Sequence, residues 1–252
     1  MTSEQVKSRI HSIDIMRGVV ILLMLVDHVR ERFFLHMQVS DPMVVESTSA
    51  ALFWSRFAAH FCAPAFIFLT GMSAWLYQYC SGSEQRSATR FLVKRGLFII
   101  ALEVVVINFS WMGAYHTLWL QVMWAIGLSM LALALLHKLP LRLLAGLGLT
   151  IVFAHNLLTP IEFSPEQWGY SLWTILHDRG YLLTDSWVNI KVSYPVLPWI
   201  GVILLGYCAG PLYATKVTAS SRKQVLFGLA AICIGLFALL RGGNLYGETL
   251  PW

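Results

Sequence analysis

Charge is scarce in this chain: 12% of its 252 residues are Asp, Glu, Lys or Arg, against roughly 25% in an ordinary soluble domain. With 57% of residues hydrophobic, that deficit excludes a conventional soluble enzyme and describes a polytopic membrane protein. Cysteine is sparse as well. Cys62, Cys80, Cys208 and Cys233 show no paired spacing, which argues against a disulfide framework or a zinc site. HExxH, GxSxG, P-loop and GxGxxG elements are missing, so the familiar soluble-enzyme chemistries have no anchor, and no metal is expected. Neither a repeat nor a low-complexity tract divides the sequence, and residues 1–252 read as a single domain.

The net charge of +5 would suit a nucleic-acid partner if it were clustered for one. Its distribution follows membrane topology instead, and no nucleic acid is expected. Apolar segments separated by loop signals lie at 11–29, 57–79, 96–112, 118–136, 143–158, 194–213 and 224–240. They predict an all-α, polytopic transmembrane bundle of about seven helices. A cytoplasmic N-terminus places twelve of the eighteen basic residues inside, among them Arg17, Arg86, Arg90, Lys94 and Arg95, as the positive-inside rule requires. Arg30 and Arg32 are the main dissent. Because Asp27-His28-Val29-Arg30 follows the first apolar core in place of small residues, the first helix reads as uncleaved.

The first segment also lacks a long apolar run. Gly18 to Val26 is nine residues, whereas crossing the hydrocarbon takes about 20, so this helix must carry ionisable groups within the membrane. Arg17 and His28 lie about 20° apart in azimuth and roughly 16 Å apart along the axis. Asp14 is about 40° and Met24 about 40° from His28 on opposite sides, so the predicted stripe is Asp14, Arg17, Met24 and His28. Charges at such depth normally face a bundle interior or a wet cavity. Arg17 snorkelling to the headgroups with Asp14 beside it is the bland alternative.

Helix 2 returns through Arg56-Phe57-Ala58-Ala59-His60, which should bring His60 to the depth of His28. Two imidazoles near Asp27 form an acid/base candidate, since histidine titrates near neutrality and a carboxylate can orient its ring. His60 as a helix cap is the structural alternative. Pro64 frees the His60 carbonyl from its usual helical partner. Glu103, in the apolar third helix, must be paired, protonated or functional, with Asn108 as one candidate partner. The Thr159 to Ser193 loop carries Trp168, Tyr170, Trp173, Tyr181 and Trp187, which read as an interfacial belt or a lid. Pro195 and Pro198 break regular bonding near the outer end of helix 6, and Gly206 with Gly210 offers a close helix approach.

SIDIMRGVVILLMLVDH, HFCAPAFIFLTGMSAW, VMWAIGLSML and PWIGVILLGY together resemble the bacterial membrane proteins similar to heparan-alpha-glucosaminide N-acetyltransferase, from about Arg9 to Trp252. The Arg17-Gly18 pair with His28 more distantly resembles the first helix of acyltransferase type 3 membrane enzymes. The resemblance implies transfer of an acyl group from cytosolic acetyl-CoA or another acyl-CoA to an extracytoplasmic sugar or glycan. It makes His28 the catalytic histidine and Arg17 part of the donor path, while on the residue reading above Asp27 orients His28, His60 assists it and Asp14 stands beside Arg17. A histidine in the first outer loop is also implied, so the catalytic assignment is divided among His28, His60 and His36. The resemblance also implies a multi-pass protein of a bacterial inner membrane, in contact with lipid and able to form homo-oligomers. Such proteins usually continue through further helices, so truncation after NLYGETLPW is expected. A transporter lined by Asp14, Glu103 and His28, or a non-catalytic scaffold, stands as the alternative function.

Overall fold

The computed structural model describes residues 10–33, 42–44, 47–80 and 86–245. It is mostly helical and divides into two compact units, Met1–Thr70 and Gly71–Trp252, the boundary falling inside a helix.

In the first unit, α1 runs from His11 to Phe33. Its inward stripe is Ile13, Val20 and Asp27, a spacing of seven that keeps one face turned toward α2. Ile15, Val19, Leu22 and Val26 are exposed apolar residues on its other sides. α2 spans Ala50–Ala59 and starts earlier than the hydropathy suggests, because Ser49 caps it by accepting from the Leu52 N–H at 3.4 Å. The chain turns at His60 and Phe61 and resumes as α3, Cys62–Tyr79. Pro64 stands in the first turn of α3, where its missing N–H costs little. Cys62 packs its thiol 3.6 Å from the Val20 carbonyl of α1.

The second unit contains the end of α3 and the helices that follow it. α4, Ala88–Leu102, is capped by Ser87, loosens into a π-turn at Glu103–Ile107 and continues as α5, Asn108–Met112. Gly113 ends α5 at φ 70°, a left-handed conformation that glycine adopts without strain. α6 is Val122–Leu136, α7 Leu141–Ala154, α8 Tyr170–Leu176, α9 Leu197–Ala209 and α10 Ala219–Gly242. Pro198 lies in the first turn of α9, where it starts the helix and does not interrupt it.

Close helix crossings hold this unit together. A Cβ on Gly127 of α6 would stand 2.8 Å from the Gly96 carbonyl of α4, and one on Gly201 of α9 would stand 2.9 Å from the Gly148 carbonyl of α7. Small residues let backbones approach in this way where hydrophobic burial gives no net drive. Gly210 receives the Trp75 ring, while Gly71 takes the α9 backbone at Ile203, so of the small-residue pair read at Gly206 and Gly210 it is Gly210 that meets α3 here.

The all-α expectation needs one correction. Thr117–Leu120 forms strand β1, and the loop from 159 to 193 contains β2, Gly180–Leu183, and β3, Asn189–Val192. β3 is central, parallel to β1 and antiparallel to β2. The amine of Lys191 lies 4.7 Å from the Trp119 ring and 5.0 Å from the Tyr181 ring, a cation–π pairing across all three strands. Helix α6 therefore begins at Val122, later than expected. Among the described residues three helical stretches are long and apolar enough to cross a membrane: 50–79, 141–158 and 219–242.

Candidate functional site

In the first unit the charged end of α1 is organised around Asp27. Its Oδ1 accepts from Arg30 Nε at 3.1 Å and Nη2 at 2.9 Å, and its Oδ2 accepts from Arg56 Nη1 at 2.8 Å. Glu31 adds an acceptor 3.7 Å from Arg56 Nη1 and 3.5 Å from Arg30 Nη2. Two guanidinium groups thus face two carboxylates, and both oxygens of the buried Asp27 are satisfied, the condition under which a desolvated ion pair is tolerated. Asp27–Arg56, with the longer Glu31–Arg56 contact beside it, also links α1 to α2.

His28 stands one residue off the buried stripe. Its Nδ1 is 3.5 Å from Glu31 Oε2, so the carboxylate beside the imidazole is Glu31, while Asp27 is committed to the arginines. A proton on Nδ1 shared with Glu31 puts the ring lone pair on Nε2, the tautomer of an oriented general base. His60 sits at the break after α2, with its Nδ1 2.8 Å from the Arg56 carbonyl, the geometry of the capping alternative. Arg56 is therefore used twice, by guanidinium toward Asp27 and by carbonyl toward His60.

The face predicted for α1 is rotated in the structure. Asp14 and His28 are exposed, and Arg17 and Met24 lie at the edge of the stripe led by Asp27. The physical reason is the pairing with Arg56, which turns Asp27 inward and leaves its neighbour outside. Arg17 and Asp14 meet at 3.5 Å with side-chain exposures of 40% and 51%, a surface pair of small energetic weight. His36 lies outside the described residues.

In the second unit Glu103 is 2% exposed, and its carboxylate accepts the backbone N–H groups of Gln121, at 3.0 Å, and of Trp124. These are orphan donors at the start of α6, so Glu103 caps that helix from a distance and complements its dipole. Asn108 donates to the Glu103 carbonyl at 2.9 Å and pairs with Trp119 of β1 through donor and acceptor, at 3.0 and 2.7 Å. The π-turn brings these two residues into register with the sheet. Both are fully engaged in holding β1 and α6, so the expected Glu103–Asn108 contact exists through the Glu103 backbone and not its carboxylate.

His155 and His177, assigned no role from sequence, are brought together here. His177 Nε2 lies 2.9 Å from the His155 carbonyl and Nδ1 2.7 Å from Asp178, and its ring stacks on Trp173 with centroids 4.9 Å apart. With both ring nitrogens within hydrogen-bond distance of protein oxygens, His177 is a clamp that presents neither nitrogen to a substrate. Among the described residues no group of three His, Cys, Asp or Glu is placed to hold a metal ion.

The family described as heparan-alpha-glucosaminide N-acetyltransferase, catalytic, matches this chain over residues 9–240. No curated protein and no solved structure matches.

Proposed function

The chain belongs to the heparan-alpha-glucosaminide N-acetyltransferase catalytic family, and on that footing we propose that it is a membrane acetyltransferase that moves an acetyl group from cytosolic acetyl-CoA to the amine of an extracytoplasmic sugar. The match over nearly the whole chain carries this reading. In it the long helices form a seven-span bundle with the N-terminus inside, in a bacterial plasma membrane, and α1 exposes apolar residues to lipid.

His28 is the general base. Nε2 takes a proton from the acceptor amine as the amine nitrogen attacks the thioester carbonyl carbon. The new C–N bond forms, the C–S bond breaks, and the leaving thiolate is protonated to the free thiol by the imidazolium. Glu31 at Nδ1 holds the ring and balances its transient positive charge. Asp27 positions this end of α1 through Arg56, and His60 secures the turn that carries Arg56. Arg17 stands about 16 Å and Asp14 about 21 Å farther along the helix, on the side from which the thioester arm enters.

Purified protein given acetyl-CoA and glucosamine should release one thiol for each amide formed, read by a thiol reagent together with mass spectrometry of the sugar. Glucosamine accumulation in vesicles without thiol release would overturn the enzyme reading in favour of a transporter.

A further inference from the structure

Between the end of α3 and the start of α4 lies a cavity of about 550 Å³ lined by Arg86, Arg90, Lys94 and Arg95 together with Tyr77 and Phe91. We propose that this cavity is a phosphate-recognising site for a polyanionic ligand, the nucleotide end of acyl-CoA or an anionic lipid headgroup. The nucleotide source rests on the acetyltransferase reading. The cavity itself does not.

Three observations carry it. First, the ionised side chains lining the cavity are all cationic, and no ion pair joins these four residues to a carboxylate among the described residues. Second, the arginines are ordered by aromatic rings. Tyr77 and Phe91 stack with centroids 4.3 Å apart and an interplanar angle of 20°. Arg86 lies over Tyr77 at 5.4 Å and Arg95 over Phe91 at 4.6 Å. Each ring has one face against the other ring, so the four groups stack as guanidinium, phenol, phenyl, guanidinium. A guanidinium set over an aromatic ring can still offer N–H donors outward, and its planar fork matches phosphate oxygens in bidentate geometry. Third, Arg90 and Lys94 are one turn apart on α4 and share a side. The helix start is fixed there by the Ser87 cap and by Thr89, which is 2.7 Å from His137 Nε2 of α6.

Membrane topology alone needs positive charge on this side but neither a cavity nor stacked guanidinium groups. The charge count also fits. A pyrophosphate and a phosphomonoester together carry about four negative charges near neutrality, opposite four cations.

The test is binding of coenzyme A and of inorganic pyrophosphate by the full chain in nanodiscs of phosphatidylcholine, repeated in discs containing phosphatidylglycerol. Arg90→Gln should weaken coenzyme A binding about tenfold, and Arg86→Gln with Arg90→Gln about a hundredfold. Arg90→Lys, which keeps the charge and serves if the double variant does not fold, should cost only about threefold. Coenzyme A binding by wild type that persists unchanged in these variants overturns the site and leaves the acetyltransferase reading standing. Cavity-dependent binding of both anions without acetyl transfer supports the site and overturns that reading. A cavity that responds to phosphatidylglycerol and not to coenzyme A supports phosphate recognition with a headgroup as its source.

Discussion

Replacing His28 by glutamine is expected to lower kcat for acetyl transfer roughly 10²- to 10⁴-fold, the range supplied by a positioned acid/base group. KM for acetyl-CoA should change little, because His28 is read at the acceptor end of α1 and makes no donor contact in this account. Glu31→Gln should cost less, about tenfold, by removing the carboxylate 3.5 Å from Nδ1 that orients the ring. His60→Gln keeps a hydrogen-bonding group near the Arg56 carbonyl and should leave turnover within a few-fold. A His28→Gln protein with wild-type kcat, beside an inactive His36→Gln protein, would transfer the catalytic assignment to His36.

The second large effect is on stability. Asp27→Ala leaves Arg30 and Arg56 facing each other with Glu31 as their remaining partner in this cluster, and of the two ion pairs from Arg56 to α1 only the longer one to Glu31, at 3.7 Å, is left. Removing one member of a buried pair typically costs about 3 to 5 kcal/mol, because the remaining charge is stranded. The lower figure applies here, since Arg56 keeps a third of its side chain exposed. A melting experiment in detergent should therefore show Asp27→Ala unfolding well below wild type, with Arg56→Leu on the same background recovering part of the loss. The surviving folded fraction should retain turnover, which separates a positioning residue from a catalytic one. Equal melting of Asp27→Ala and wild type would show that the cluster is ornamental.

These effects also mark what the sequence made legible. Hydropathy located the apolar stretches of α6, α7, α9 and α10, but α2 begins at Ala50, ahead of the apolar segment read from 57, and the break that divides α2 from α3 at His60 and Phe61 was not read. The absolute rotation of α1 did not follow. Azimuth read from one helix is relative, and the residue that turns inward is chosen by a partner, here Arg56, whose contribution no periodicity reveals. The sheet was hidden for a related reason: Thr117–Leu120 and Asn189–Val192 are each four residues long, and they pair across some seventy intervening residues. Glu103 was visible as a buried carboxylate, yet its task as the cap of α6 depends on the π-turn. Arg86, Arg90, Lys94 and Arg95 were accounted for as topology signals. Their four-residue spacing on α4 was readable, but the stack with Tyr77 requires a second helix.

Sealed vesicles with inward-facing and outward-facing protein separated by a site-specific tag offer the most direct measurement. Acetyl-CoA is supplied only on the side of the α4 cations and glucosamine only on the opposite side. N-acetylglucosamine is expected on the acceptor side and free coenzyme A on the donor side, with both products reduced at least about a hundredfold in His28→Gln. Acetylation that requires both substrates on one side would contradict transfer across the membrane.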